Sequence, residues 1–155
     1  MPSCSRDGCA RPPRLQRRAD PRLTVPPERH YTVEQANAAI PSVQERIDAL
    51  RAAREGLNDA DARAALHEAT PGNGGGEPGR VVSEAFLAMR RSLHELQEMG
   101  VILRDLDRGL ADFPSHRDGR EIYLCWVEGE DEVRHWHGPE DGFDGRQPLS
   151  DDDHA

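Results

Sequence analysis

The residues best suited to chemistry crowd into one stretch, Leu124-Cys-Trp-Val-Glu-Gly-Glu-Asp-Glu-Val-Arg-His-Trp-His137. It holds both tryptophans, one of the three cysteines and two of the seven histidines. His135 and His137 stand two apart, so on a β-strand both imidazoles fall on one face. Tetrahedral zinc sites use such nitrogen ligands, completed by a thiolate or a carboxylate. Cys125 and Asp112 could complete that shell. The same types would also suit a thiol nucleophile with a base and an orienting group. The plainer alternative is that Cys125 is a small buried hydrophobe and the histidines are solvated.

Two other groups carry chemical potential. In Gly142-Phe-Asp-Gly-Arg146 the glycines permit a tight loop that sets Phe143 and Arg146 against a neighbouring surface. Arg146 could then take an anion, or pair with Asp112 or another acid as a structural device. Asp105 and Asp107 alternate on a possible strand and could hold a hard cation, although two carboxylates make a thin site. The segment Thr70–Gly79 is glycine-rich but lacks the Gly-Lys-Ser/Thr ending of a phosphate-binding loop, so that role is excluded.

The elements that position these groups can be read from turn signals and periodicity. Gly109 to Pro114, Glu121 to Val127 and Val133 to His137 read as strands, with Val101-Ile-Leu103 a possible fourth. Asp118-Gly119 is a two-residue hairpin signal, and loop length sets register. Arg117 then faces Arg120, Phe113 faces Leu124, and Ala111 faces Trp126. Ala111, Phe113, Ser115, Ile122, Leu124 and Trp126 share a face that should meet the core. Asp112 falls opposite Cys125 on the other face. For the next hairpin, a three-residue loop pairs Cys125 with His135 and Tyr123 with His137. A two- or four-residue loop swaps the faces of that strand. The first register is preferred because it buries Trp136 rather than two histidines.

Upstream, Thr32-Val-Glu-Gln35 fits a capping box. Val33, Ala36, Ile40, Val43, Ile47, Leu50 and Leu57 then form one helical stripe. Pro41 should bend this helix near its first turns, and Gly56 or the Asn58-Asp59 pair could end it or start a short second piece. Val82, Phe86, Met89, Leu93 and Leu96 make a second stripe that stops near Gly100. Two such helices joined by a loop form an antiparallel hairpin with stripes facing. The expected fold is therefore α+β. An antiparallel two-helix hairpin packs on a three- to four-stranded antiparallel meander, between disordered tails.

Charge divides the 155 residues unevenly around a net −9. Residues 1–30 carry seven arginines against three acids, a balance of +4. Residues 31–127 carry 11 against 16, or −5, and residues 128–155 two against ten, or −8. Phosphate backbones repel such a folded part, so nucleic acid is not an expected partner for it. Every basic residue is arginine, which fits codon bias in a GC-rich gene. No apolar run is long enough to span a membrane, and the N-terminus lacks the apolar core of a secretory signal. Cys4 and Cys9 lack the second pair that a zinc site needs. An odd cysteine count argues against a disulfide framework, so a reduced, cytoplasmic setting is expected.

The expected organisation is an Arg/Pro-rich arm over 1–30, one domain over 31–149 and an acidic tail over 150–155. Within the domain, 31–99 forms the helical hairpin with its glycine-rich loop at 70–79. Residues 100–149 form the meander and a C-terminal loop.

Three segments resemble a prokaryotic family catalogued as domain of unknown function 2203. They are Tyr31-Thr-Val-Glu-Gln-Ala-Asn-Ala-Ala-Ile-Pro-Ser-Val43, the run from Gly100 to Glu130, and Trp136-His-Gly-Pro-Glu-Asp-Gly-Phe-Asp-Gly-Arg-Gln-Pro-Leu149. The resemblance covers roughly four fifths of the chain and implies a small cytoplasmic protein. It transfers no activity and no catalytic residue. The leading expectation is a non-enzymatic interaction or regulatory module, with a helical face open to a protein partner or to self-association. The rival is a metal or small-ligand site, open to a catalytic role, on the sheet face. Asp112, Cys125, His137, Phe143 and Arg146 would contact the ligand. Asp112, Cys125, His135 and His137 would hold a metal such as zinc.

Overall fold

The computed structural model describes residues 29–68 and 76–150. The basic arm with Cys4 and Cys9, the centre of the glycine-rich stretch and residues 151–155 lie outside the described residues. Helix α1 spans Val33–Asn58, α2 Ala60–Glu68 and α3 Gly76–Met99. Strands follow at Ile102–Asp105 (β1), Leu110–Arg117 (β2), Arg120–Val127 (β3), His135–His137 (β4) and Gln147–Pro148 (β5).

Helix α1 starts where a side chain can satisfy its first free amides. The Thr32 hydroxyl accepts from the Gln35 amide at 3.2 Å, and the Gln35 side chain accepts from the Thr32 amide at 3.1 Å. Pro41 lies inside α1, at its ninth residue, where it removes one amide donor, and the helix continues beyond it. Asp59 separates α1 from α2, and its carboxylate accepts from the Ala62 amide at 2.8 Å. The expected short second piece therefore exists. Helix α3 begins at Gly76, inside the segment expected to be loop.

Helices α1 and α3 run antiparallel. The Tyr31 hydroxyl donates to the Met99 carbonyl at 2.6 Å, Arg46 pairs with Glu95 at 3.0 Å, and Gly56 lies against Ala85. Val43, Ile47 and Leu50 are fully buried in the core with Phe113, Leu124 and Trp126 of the sheet. Arg51 ties α1 to the sheet's edge, donating to the Leu106 and Asp107 carbonyls and to Glu128.

The second helical stripe is only partly used. Ser92 and Leu96 are the buried residues of α3, whereas Phe86 is 51 % and Leu93 49 % exposed. The inward line passes through half-buried Ala85 and Met89 and buried Ser92 and Leu96, rotated from the expected one. The reason is size. Small residues at Ala85 and Ser92 let α3 approach α1 closely, and the larger Phe86 and Leu93 turn outward.

The sheet has five antiparallel strands in the order β1-β2-β3-β4-β5, one more than the upper expectation. Asp118 and Gly119 have φ of 51° and 74°, the left-handed pair that a tight hairpin turn demands. The register is the one the turn implies: Arg117 opposite Arg120, Phe113 opposite Leu124, Asp112 opposite Cys125. In the next hairpin, Cys125 pairs with His135 and Tyr123 with His137. Strand β4 is shorter than expected. Val133 precedes it, fully buried, with its amide bonded to the Asn37 side chain at 2.7 Å rather than to β3.

Candidate functional site

Alternation along β2, β3 and β4 sends Asp112, Cys125, His135 and His137 to the face away from the helices. The loop from Gly138 to Arg146 folds back over that face. Its tightness rests on Gly145, where a Cβ would stand 2.4 Å from the Asp141 Cβ. Asp141 in turn accepts from the Gly138 amide at 3.2 Å, which closes the first turn. The loop roofs a cavity of about 190 Å³ with Pro139 and Phe143. Arg104 and Leu110 wall it, and Asp112, Cys125 and His137 line its base.

All three base residues are buried: Asp112 is 1 %, Cys125 0 % and His137 3 % exposed. One ligand atom from each lies within 4.8 Å of the other two. Asp112 Oδ2 accepts from Arg104 Nε at 2.7 Å and faces His137 Nε2 at 3.1 Å. His137 Nδ1 faces the Gly138 carbonyl at 2.8 Å. Both ring nitrogens thus meet acceptors. That is satisfied when both carry protons, or when Nε2 gives its lone pair to a cation. Asp112 Oδ1 is buried and meets no N–H donor, while the Cys125 thiol is hydrogen-bonded to the Asp112 side chain. A buried carboxylate whose further partner is a weak S–H donor is under-satisfied for its charge.

Cys125 is not a ready nucleophile. Burial first, then the neighbouring Asp112 charge, pushes its thiol up to about 12. Near neutral pH it keeps its proton unless a cation displaces it.

The expected residues divide here. Asp112, Cys125 and His137 converge, and Phe143 joins them as a wall. His135 shares their row but its ring turns aside, with Nδ1 3.1 Å from Arg146 and 3.8 Å from Glu130. Arg146 also leaves the cavity. Its guanidinium donates to both Glu130 oxygens at 2.8 and 3.0 Å and stacks against Phe143 at 4.9 Å. Glu130 is further fixed by the Val127 amide and, through its carbonyl, by the Trp126 indole. Asp105 is spent on its own turn, accepting from the Asp107 and Arg108 amides, and Asp107 pairs with Arg54.

Two site residues escaped the sequence reading. Arg104 could have been placed by extending the meander one strand back, since β1 pairs Ile102 with Asp112. Glu130 sits in a turn, where no periodicity points to it.

Other hollows are larger but less convergent. The one beside Tyr31 and His116, about 270 Å³, has no carboxylate in its lining. Its His30 and His116 rings stack on each other at 3.8 Å.

Comparison with known proteins adds one match. A family model described as "Uncharacterized conserved protein (DUF2203)" matches residues 29–149. No curated protein and no solved structure matches the chain. Among the described residues, no helix is long and apolar enough to cross a membrane.

Proposed function

The chain belongs to the DUF2203 family, which assigns no activity, and from the cavity's own geometry we propose a non-enzymatic module that binds one zinc-like divalent cation. Asp112 Oδ1, Cys125 Sγ and His137 Nε2 are its ligands. The observation that carries this is the convergence of three buried ligand atoms, one each from Asp112, Cys125 and His137, within 4.8 Å of one another. Zinc bonds at about 2.0–2.3 Å would draw these atoms to roughly 3.5 Å from one another, a small contraction from the present spread. The surroundings suit the task. The Gly138 carbonyl orients the His137 ring, and Arg104 holds the second carboxylate oxygen, as outer partners of metal ligands commonly do. A thiol held protonated by burial is a poor nucleophile, which argues against thiol catalysis, and a cation entering the cavity has to displace its proton.

The test is metal content and metal-dependent melting of the full chain. Purified protein equilibrated with zinc should retain about one equivalent per chain, and Asp112→Asn, Cys125→Ser and His137→Gln should each lose it. Zinc at a hundred times its dissociation constant should add about 2.7 kcal/mol to wild-type stability. Wild-type protein that retains no zinc and melts identically with zinc and with chelator overturns the reading.

A second reading concerns the helices. The exposed large apolar residues of the described chain, Phe86, Leu87 and Leu93, all lie on α3. Phe86 and Leu93 are seven apart, two turns along one face. Antiparallel pairing of α3 with a second copy would set each Phe86 on the other copy's Leu93, a self-complementary two-fold contact. Sedimentation should give a dimer that Leu93→Ser converts to monomer. A monomer at all concentrations excludes it.

A further inference from the structure

The proposed metal site has a direction and a charge, and both bear on what else enters the cavity. Three protein ligands leave a tetrahedral cation one open position, the arrangement that admits an outside ligand. Here the protein fills the base of the cavity, so the open position faces its 190 Å³ interior. A divalent cation with one thiolate and one carboxylate is neutral. Arg104 adds a positive charge beside it, with Nε 2.7 Å from Asp112 and its side chain 41 % exposed. The loaded site therefore carries a net positive charge at the mouth of a small hollow. Only one nitrogen of the Arg104 guanidinium is given to Asp112, and the terminal pair of such a group suits a planar carboxylate. The remaining walls, Leu110, Pro139 and Phe143, are apolar.

Resting on the metal reading, we propose that the cavity takes a small monocarboxylic acid with a short apolar tail. Its carboxylate fills the open metal position and bonds Arg104, and its carbon chain lies against Leu110 and Phe143. A neutral isostere satisfies neither the cation nor the guanidinium. A dicarboxylate would place a second charge against the apolar walls, which costs desolvation without a partner.

The experiment uses the full chain loaded with cobalt(II), whose visible spectrum reports coordination. Butyrate should shift the cobalt bands in a saturable way, and butanol should not. In protein brought to one cobalt per chain by added cobalt, Arg104→Gln should weaken the butyrate midpoint about tenfold, the loss expected for a hydrogen bond between charged groups. Leu110→Asp should abolish the preference for butyrate over acetate. Cobalt bound with the three-ligand spectrum, but unmoved by butyrate at tens of millimolar, overturns this inference and leaves the metal reading standing. No cobalt spectrum at all overturns both.

Discussion

Replacing Asp112 by Asn tests whether the buried cluster is held by charge. The substitution keeps shape and one carbonyl acceptor but removes the negative charge. Two interactions depend on that charge: Arg104 Nε at 2.7 Å and His137 Nε2 at 3.1 Å. Hydrogen bonds to charged groups contribute about 1.5–3 kcal/mol each. The His137 partner is 3 % exposed and keeps that full range, but Arg104 is 41 % exposed, so water replaces much of its loss. Its share falls to about 1 kcal/mol or less. Asn also buries an amide N–H₂ near Arg104, adding a donor where donors already point. The net expectation is a destabilisation of roughly 2–4 kcal/mol, or a melting temperature lower by on the order of 10 °C. Urea unfolding followed by circular dichroism, at neutral pH with chelator present, isolates this from any metal effect. The double variant with Arg104→Gln should lose less than the sum of the singles, by about 0.5–1 kcal/mol. A loss under about 0.5 kcal/mol for Asp112→Asn would refute the reasoning, because a buried charge so easily dispensed with is not organising its neighbours.

Four further outcomes are expected. In a variant carrying Cys4→Ser and Cys9→Ser, Cys125 should react with an aromatic disulfide reagent at pH 8 only as fast as the protein opens; rapid reaction of the folded chain would contradict its burial. In the same variant, stability should hold below the thiol's ordinary 9.0 and fall as pH rises toward about 12, because the unfolded thiol ionises first and the folded one is held protonated; a flat urea midpoint over that range contradicts it. The Arg51 hydrogen bond, then that of Gln44, holds the Glu128 carboxyl below the usual range, so this link stabilises above ordinary carboxylate pH and is lost on acidification through the lowered value; Glu128→Gln should flatten that part of the acid profile. Gly145→Ala must move Asp141 and should cost about 1–3 kcal/mol; a crystal structure of the variant should show Phe143 displaced from the cavity wall.

How much of this was legible in sequence depended on where the determinants were local. The capping box at Thr32 and the turn at Asp118-Gly119 are decided within four residues, and both stand as read. Alternation from that one turn placed Asp112 opposite Cys125, and choosing to bury Trp136 placed His135 opposite Cys125. The stripe on α3 misled because periodicity names an apolar face without saying which edge of it meets a neighbour. That edge was decided by the closeness of α1, through Ala85 against Gly56 and the small Ser92, information that belongs to two helices and not to one.

The site shows the same division more sharply. Strand register tells which side chains share a face, and it correctly assembled a row of Asp112, Cys125 and His135. It cannot tell which way a ring turns within that row. His135 and His137 are equivalent by alternation, yet only His137 enters the cavity. The difference is made outside the strand. Gly138 offers its carbonyl to His137 Nδ1, while the Arg146–Glu130 pair draws His135 aside at 3.1 Å. The loop that carries Gly138 and Arg146 therefore sorts two like residues into a candidate ligand and a structural partner. If His135 is released by Arg146→Ala, it should become available to the cation in the cavity. Zinc binding by an Arg146→Ala, His137→Gln double variant, absent from His137→Gln alone, would show that this loop and not the strand chooses the ligand. No recovery of zinc in the double variant would mean that the strand's own geometry keeps His135 out.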